Sequence, residues 1–220
     1  MCGRYRLSRR KEVLAEHFDV DWNDLDWEPH YNIAPTQAVP VIRRDSGSAN
    51  RQARRMRWGL IPSWATDPSI GARTINARSE TAFNKSSFRE PLRRQRCIVP
   101  ADGFYEWQRA AKLKQPFCFE VGNGTIFAFA GLWDCWRDPQ GKAVETCTIL
   151  TTTPNQLLID VHDRMPVILP PAHYDRWLDP NLQDSEAVMA MLKPFESQLM
   201  RKYPVSARVN SVKNLSLIHI

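Results

Sequence analysis

The chain has 220 residues, enough to bury a substantial core without disulfide or metal staples. It is 43% hydrophobic and 25% charged, which excludes a wholly disordered polymer. The net charge is +6, and only eight of the 30 basic residues are lysine, so the surplus is arginine, whose planar fork suits phosphates and hints at a polyanionic partner.

No apolar run reaches the ~20 residues that span a bilayer, so no membrane helix is expected. The N-terminus, MCGRYRLSRRKEV, lacks the apolar stretch of a secretory signal. The cysteines (Cys2, Cys97, Cys118, Cys135, Cys147) are odd in number and form no CxxC pair. Reduced thiols in the cytoplasm are the simplest account, and a structural zinc site is not expected. No metal or nucleotide motif is visible, so no cofactor is expected.

In chain order, residues 8–18 place Val13, Leu14, His17 and Phe18 on one helical stripe. The run 45–50 (DSGSAN) reads as a hairpin tip. Residues 96–100 (RCIVP) read as a buried strand. Residues 116–121 (PFCFEV), 125–133 (TIFAFAGLW) and 146–153 (TCTILTTT) alternate or are rich in aromatic and β-branched side chains, as strands are. A short helix is expected over 154–161, with Leu157, Leu158 and Val161 inward, followed by a buried strand at 166–169 (PVIL). Asp184 is placed to cap a last helix running to Leu192. Strands dominate and no βαβ rhythm is present. The expected fold is α+β, a single domain with a twisted, mainly antiparallel, barrel-like sheet and flanking helices.

Cys2 follows the start methionine, and methionine before a small residue is commonly removed. The new terminus would carry an amine and a thiol two carbons apart. Such an aminothiol condenses with an aldehyde: the amine forms an imine and the thiol closes a thiazolidine ring. Both groups titrate close enough to neutrality to react, the amine near 7.7–8.0 and the thiol near about 8.5. Glu106 lies between Tyr105 and Trp107 in PADGFYEW, where desolvation raises a carboxyl and suits it to general acid work. His162 in DVHDRMP is a natural proton donor or acceptor near neutral pH. In TINARSE, Asn76, Arg78 and Glu80 alternate, so an extended backbone points all three one way. YNIAP, residues 31–35, reads as a binding turn.

Seven basic residues lie between positions 73 and 96, and Arg4, Arg6, Arg9 and Arg10 crowd the N-terminus. With Trp58 and Trp64 nearby in RWGLIPSW, this is the recipe for a single-stranded nucleic acid groove. Taken singly, each residue has an ordinary alternative. Glu106 reads equally as an exposed sheet residue, Asn76 as a turn former, His162 as a satisfied loop histidine, and each tryptophan as core.

The ordered set MCGRY, YNIAP, WGLIPSW, INARSE, PADGFYEW, VHDRMPVIL and SVKN resembles the SRAP family, the SOS-response-associated peptidases or abasic-site processing proteins. The resemblance spans residues 1–214; the tail 215–220 (LSLIHI) does not resemble the family and is left out of the expected domain. It implies a twisted, barrel-like antiparallel sheet. It implies a monomeric sensor of abasic sites in single-stranded DNA, working at the nucleoid in the DNA damage response. The covalent bond would form through Cys2 after loss of Met1, with Asn76 orienting the amine. Glu106 would move protons during ring opening and imine formation, and His162 would hold the deoxyribose hydroxyl. Arg4, Arg78 and Arg164 would grip phosphates, Trp64 would be a stacking wedge, and Asn32, Pro35 and Thr151 would line the site. Autopeptidase activity on Met1 and weak lyase activity through the imine are also implied. Two other readings stay open: a thiol peptidase acting on proteins through Cys2 and His162, and a non-covalent single-stranded nucleic acid module.

Overall fold

The computed structural model describes residues 2–22, 25–45, 47, 48, 50–110 and 113–214. Its first strands are β1 (Tyr5–Leu7), β2 (His30–Ile33), β3 (Ala38–Arg44), β4 (Arg51–Trp58) and β5 (Asn76–Arg78). Then follow β6 (Arg96–Ala101), β7 (Gly103–Ala110), β8 (Leu113–Val121), β9 (Phe127–Arg137) and β10 (Ala143–Thr152). Two short strands, β11 (Met165–Pro166) and β12 (Ile168–Leu169), precede β13 (Met200–Pro204). The helices are α1 (Lys11–Phe18), α2 (Ser79–Ala82), α3 (Arg89–Arg94), α4 (Tyr174–Leu178) and α5 (Ser185–Ala190).

The long strands form a closed barrel. β4, β3, β6, β9 and β10 pair antiparallel in that order, and β10 then meets β4 in parallel, Thr146 opposite Arg57, to close the ring. Closure removes the exposed edges that an open sheet would leave. β5 adds parallel to the far end of β10, and β11 pairs antiparallel at the same end. A second sheet, ordered β13-β8-β7-β1-β2, is antiparallel throughout. The expected barrel-like α+β domain is therefore present, with one parallel seam that local patterning does not announce.

Aromatic side chains join the two sheets. Tyr5 packs edge-on against Trp58 (5.3 Å between ring centroids) and Phe129 (5.8 Å), Phe104 meets Phe129 at 6.0 Å, and within the second sheet Phe104 stacks on Phe119 at 5.1 Å. All five are fully buried. Each such pair contributes about 0.5–1.5 kcal/mol beyond its buried area. Gly59, just after Trp58, is indispensable. Its φ is +127°, and a Cβ there would lie 2.5 Å from the Gly71 carbonyl oxygen.

The helices are shorter than the sequence patterns imply. The expected helix over 8–18 begins at Lys11, and it buries Leu14 and Phe18 while Val13 and His17 stay exposed. Asp184 caps α5 as expected, accepting from the Glu186 N–H at 3.0 Å. The expected helix over 154–161 is a run of turns. There Asn155 Oδ1 accepts from the N–H groups of Leu157 and Leu158, offering the backbone a local alternative to a helix. Leu158 and Val161 are nonetheless buried. Residues 45–50 join β3 to β4 as a hairpin tip, with Arg44 opposite Arg51; Ser46 and Ala49 lie outside the described residues. Met1 and the tail 215–220 lie outside them too. Among the described residues no helix is long and apolar enough to cross a membrane.

Candidate active site

The site forms where the second sheet meets one end of the barrel. β1 and β7 pair antiparallel with Tyr5 opposite Phe104, and the Tyr105 N–H donates to the Arg4 carbonyl at 2.9 Å. This register brings the segment ahead of β1, with Cys2, alongside Glu106 on β7. From the barrel side, β5 runs parallel to β10 with Asn76 opposite Ile149 and Arg78 opposite Thr151. Asn76 Nδ2 donates to the Cys2 carbonyl at 2.8 Å, so one hydrogen bond ties the two sheets at the cysteine. The other end of that amide, Asn76 Oδ1, is buried without a partner among the described residues.

Cys2 is fully buried. Burial and then the nearby Glu106 carboxylate raise its thiol well above the ordinary range, so it is neutral at pH 7. Its Sγ contacts the Arg4 carbonyl oxygen at 4.0 Å. Glu106 is also buried, and burial is the main cause that raises its carboxyl; the Asp163 charge adds, and the Trp107 backbone N–H opposes. The desolvation expected from Tyr105 and Trp107 comes from elsewhere. Strand alternation turns those two rings to the opposite face, where they pack with Cys118, Tyr203 and Val209. Glu106 faces Cys2.

His162, Arg164 and Arg78 line a cleft of about 800 Å³ together with Asp160 and Asp163. The Arg164 backbone N–H donates to His162 Nδ1 at 3.0 Å, which in the neutral ring places the proton on Nε2. The Asp163 carboxylate lies 2.9 Å from the same nitrogen and partners it once the ring is protonated. Arg164 is buried and held at both ends. Nη1 and Nη2 bind the two oxygens of Glu80 at 2.8 and 2.9 Å, and Nη2 also binds the Thr151 carbonyl at 2.6 Å. Thr151 itself is fully buried and lies beside Arg78 and Arg164. Arg78 is exposed and makes no hydrogen bond or ion pair among the described residues. Asn76 and Arg78 share one face of β5 around buried Ala77, as alternation requires, but Glu80 does not continue that face. It sits in the first turn of α2 and turns to Arg164. That anchoring role had no local signal.

Glu80→Gln keeps the shape and removes the charge from this bidentate pair. It is expected to cost about 1–2 kcal/mol at pH 7, low for a charged hydrogen bond because Glu80 is half exposed. Burial alone raises the Glu80 carboxyl, but the Arg164 hydrogen bonds and charge win and hold it below the usual range. The stabilisation is therefore present above about pH 4.3 and lost as pH falls through the lowered folded value. Urea denaturation of both proteins at pH 7 and pH 3 checks this; equal stability at pH 7 refutes it.

Arg4 is half-buried, and its Nη1 donates to Asn32 Oδ1 and to the Val209 carbonyl, both at 2.7 Å. Asn32 is fully buried at the end of β2. Half-buried Pro35 lies in the following turn, which Gln37 holds by accepting from the Ala34 N–H at 3.0 Å. Trp58 is core, its Nε1 donating to the Ile75 carbonyl at 2.8 Å. Trp64 is 56% exposed. Its loop is pinned by Asp134 Oδ2 on the Ser63 N–H and by Thr146 Oγ1 on the Ile61 N–H, so the indole is presented from a fixed backbone.

Two basic residues of the expected phosphate groove are structural instead. Arg6 is bound to Asp102 (2.9 Å) and Glu120 beneath β1. Arg96 is buried on the carbonyls of Leu92, Arg93, Trp177 and Leu182, closing the C-terminus of α3, and burial pushes its pKa down to about 10.

The fold and the site together define a sheet-on-barrel protein that gathers a thiol, a carboxyl, an imidazole and arginines at one junction. The chain belongs to the SOS response associated peptidase (SRAP) family, whose model matches residues 1–212. It is 46% identical to the abasic site processing protein YoqW of Bacillus subtilis, over 98% of this chain and 97% of that protein. It is 35% identical to the abasic site processing protein HMCES of Gallus gallus, over 97% of this chain and 75% of that one. A crystal structure of a protein from Bacteroides thetaiotaomicron superimposes with a TM-score of 0.87 at 30% identity, over 96% of this chain and 95% of that one.

Proposed function

We propose that this protein captures abasic sites in single-stranded DNA and links to them covalently through Cys2 once Met1 is removed. The observation that carries the reading is the Cys2–Asn76–Glu106 arrangement. Asn76 holds the Cys2 carbonyl and leaves a buried acceptor, Oδ1, without a partner among the described residues. A freed α-amine at Cys2 supplies such a donor. The names of YoqW and HMCES point the same way.

An abasic deoxyribose is an aldehyde closed as a hemiacetal. Opening it requires a proton at the ring oxygen and removal of one from the C1′ hydroxyl. Glu106, raised by burial, is the acid, and His162 handles the hydroxyl. The Cys2 amine then adds to C1′ and one water leaves, giving an imine. The Cys2 sulfur adds to the imine carbon while its proton passes to nitrogen, closing the thiazolidine. The imine is also open to β-elimination, so a weak lyase activity accompanies capture. Removal of Met1, by the protein itself or by an aminopeptidase, is the step that frees the amine. Arg4 and Arg78 take phosphates and Trp64 stacks on a base; Arg164, already bound to Glu80, steadies the His162 loop. The protein acts as a monomer in the cytoplasm, at the nucleoid, and needs no cofactor.

A peptidase acting on other proteins needs a thiolate prepared by a base. Burial and Glu106 both drive the Cys2 thiol the other way, which favours capture over cleavage. Intact mass spectrometry after incubation with an abasic oligonucleotide tests the proposal. The expected species is the protein lacking Met1, plus the oligonucleotide, minus one water, mapped to residue 2. An adduct on a lysine, or none, would overturn it.

A further inference from the structure

Residues 206–214 leave the end of β13 and cross the outer face of the second sheet. Val209 is fully buried there against Tyr105 and Cys118. Trp107 Nε1 donates to Asn210 Oδ1 at 2.7 Å, and Asn214 Nδ2 donates to the Arg208 carbonyl at 2.7 Å. Asn32 Nδ2 donates to the carbonyls of Val209 (3.2 Å), Ser211 (2.9 Å) and Asn214 (3.0 Å). Its Oδ1 takes one Nη1 proton of Arg4, and the Val209 carbonyl takes the other.

A guanidinium has five N–H donors in a rigid fork. The two on Nη1 are spent. Nε is buried without a partner, and Nη2 makes no hydrogen bond among the described residues. What remains open is Nη2, whose N–H groups suit a phosphate oxygen, while the guanidinium rests over the Trp107 ring, 5.8 Å from its centroid. We infer that Asn32 and residues 206–214 form a brace that aims Nη2 of Arg4 at a backbone phosphate of the bound strand. Asn32 is a positioning residue: fully buried, it acts through Arg4. The C-terminal segment is thereby part of the grip.

The inference rests on the DNA-binding reading above, and the test separates the two. Binding of an intact, fluorescent single-stranded oligonucleotide is titrated over a range of salt for wild type, Asn32→Ala, Arg4→Met and the double variant. Each phosphate contact on a single strand contributes about 0.7 to the slope of log affinity against log salt. Asn32→Ala and Arg4→Met are each expected to weaken binding about tenfold at low salt and to lower the slope by about 0.7, with no further loss in the double variant. A role confined to folding leaves the slope unchanged. Asn210→Ala, which releases the segment at its exposed anchor, is read in parallel in case Asn32→Ala does not fold; it is expected to lower the slope in the same direction. Full slopes in the folded brace variants, beside a reduced slope in Arg4→Met, overturn the brace. A full slope in Arg4→Met overturns the phosphate contact itself. No salt-dependent binding by the wild type overturns the DNA reading.

Discussion

Cys2→Ala is expected to abolish the denaturation-resistant adduct with abasic DNA while leaving binding to intact strands near that of the wild type. The thiol is fully buried, but among the described residues its hydrogen-bond contact is a long one to the Arg4 carbonyl. Loss of one sulfur from a packed site costs about 1 kcal/mol, too little to unfold a domain of this size. The variant keeps the terminal amine, so it still forms the imine and lacks only the ring closure that protects it. Two readouts follow. Denaturing gels show no adduct unless borohydride is added to reduce the imine. Strand cleavage by β-elimination rises, because the imine persists. An undiminished adduct without reductant sinks the thiazolidine mechanism.

Glu106→Gln tests the proton transfers. General acid–base catalysis contributes about 10²–10⁴-fold, and the adduct rate under single-turnover conditions is expected to fall within that range. Burial raises the Glu106 carboxyl, so the acid form survives above the ordinary glutamate range and the wild-type rate declines as pH rises through the raised value. The glutamine variant lacks that decline. Stability moves with the same group. A carboxyl raised in the folded state favours folding while it is protonated, below about pH 4.3, and the protein loses that support as pH rises toward the raised value. Glu106→Gln is therefore expected to gain stability over wild type between pH 3.5 and pH 7 in chemical denaturation. A gain that runs toward low pH instead, or a rate unaffected by the substitution, removes Glu106 from the mechanism.

The candidate site was legible in the sequence to different depths. Cys2, Glu106 and His162 stand out because their chemistry is a property of residue type and local context. Local patterning also located strands of both sheets: RCIVP, TIFAFAGLW and TCTILTTT lie in or largely within β6, β9 and β10 of the barrel, and PFCFEV lies within β8 of the second sheet. The helices were less legible. Nothing in 154–161 signals that Asn155 will satisfy two backbone N–H groups from its side chain and leave a series of turns. Glu106 shows how the right expectation can rest on the wrong neighbours. Its flanking aromatics are adjacent in sequence and face the other side of the sheet.

The chain is basic, and its surplus of arginine suits a polyanion. Composition and motif order determine that much, together with the strand-rich fold class, since charge and alternation are local properties. Which arginines are free to meet an anion is a matter of the tertiary structure alone. Arg6, four residues from Cys2, is spent on Asp102 and Glu120; Arg96 is spent on helix carbonyls; Arg164 is held by Glu80. Arg78 remains open at the cleft, and Arg4 keeps Nη2 of its fork while Asn32 and residues 206–214 occupy Nη1. Each of those partners lies tens of residues or more away along the chain or is a backbone carbonyl, neither of which leaves a mark at the arginine itself. The pairing exists only once closure of the barrel and docking of the second sheet have brought the segments together.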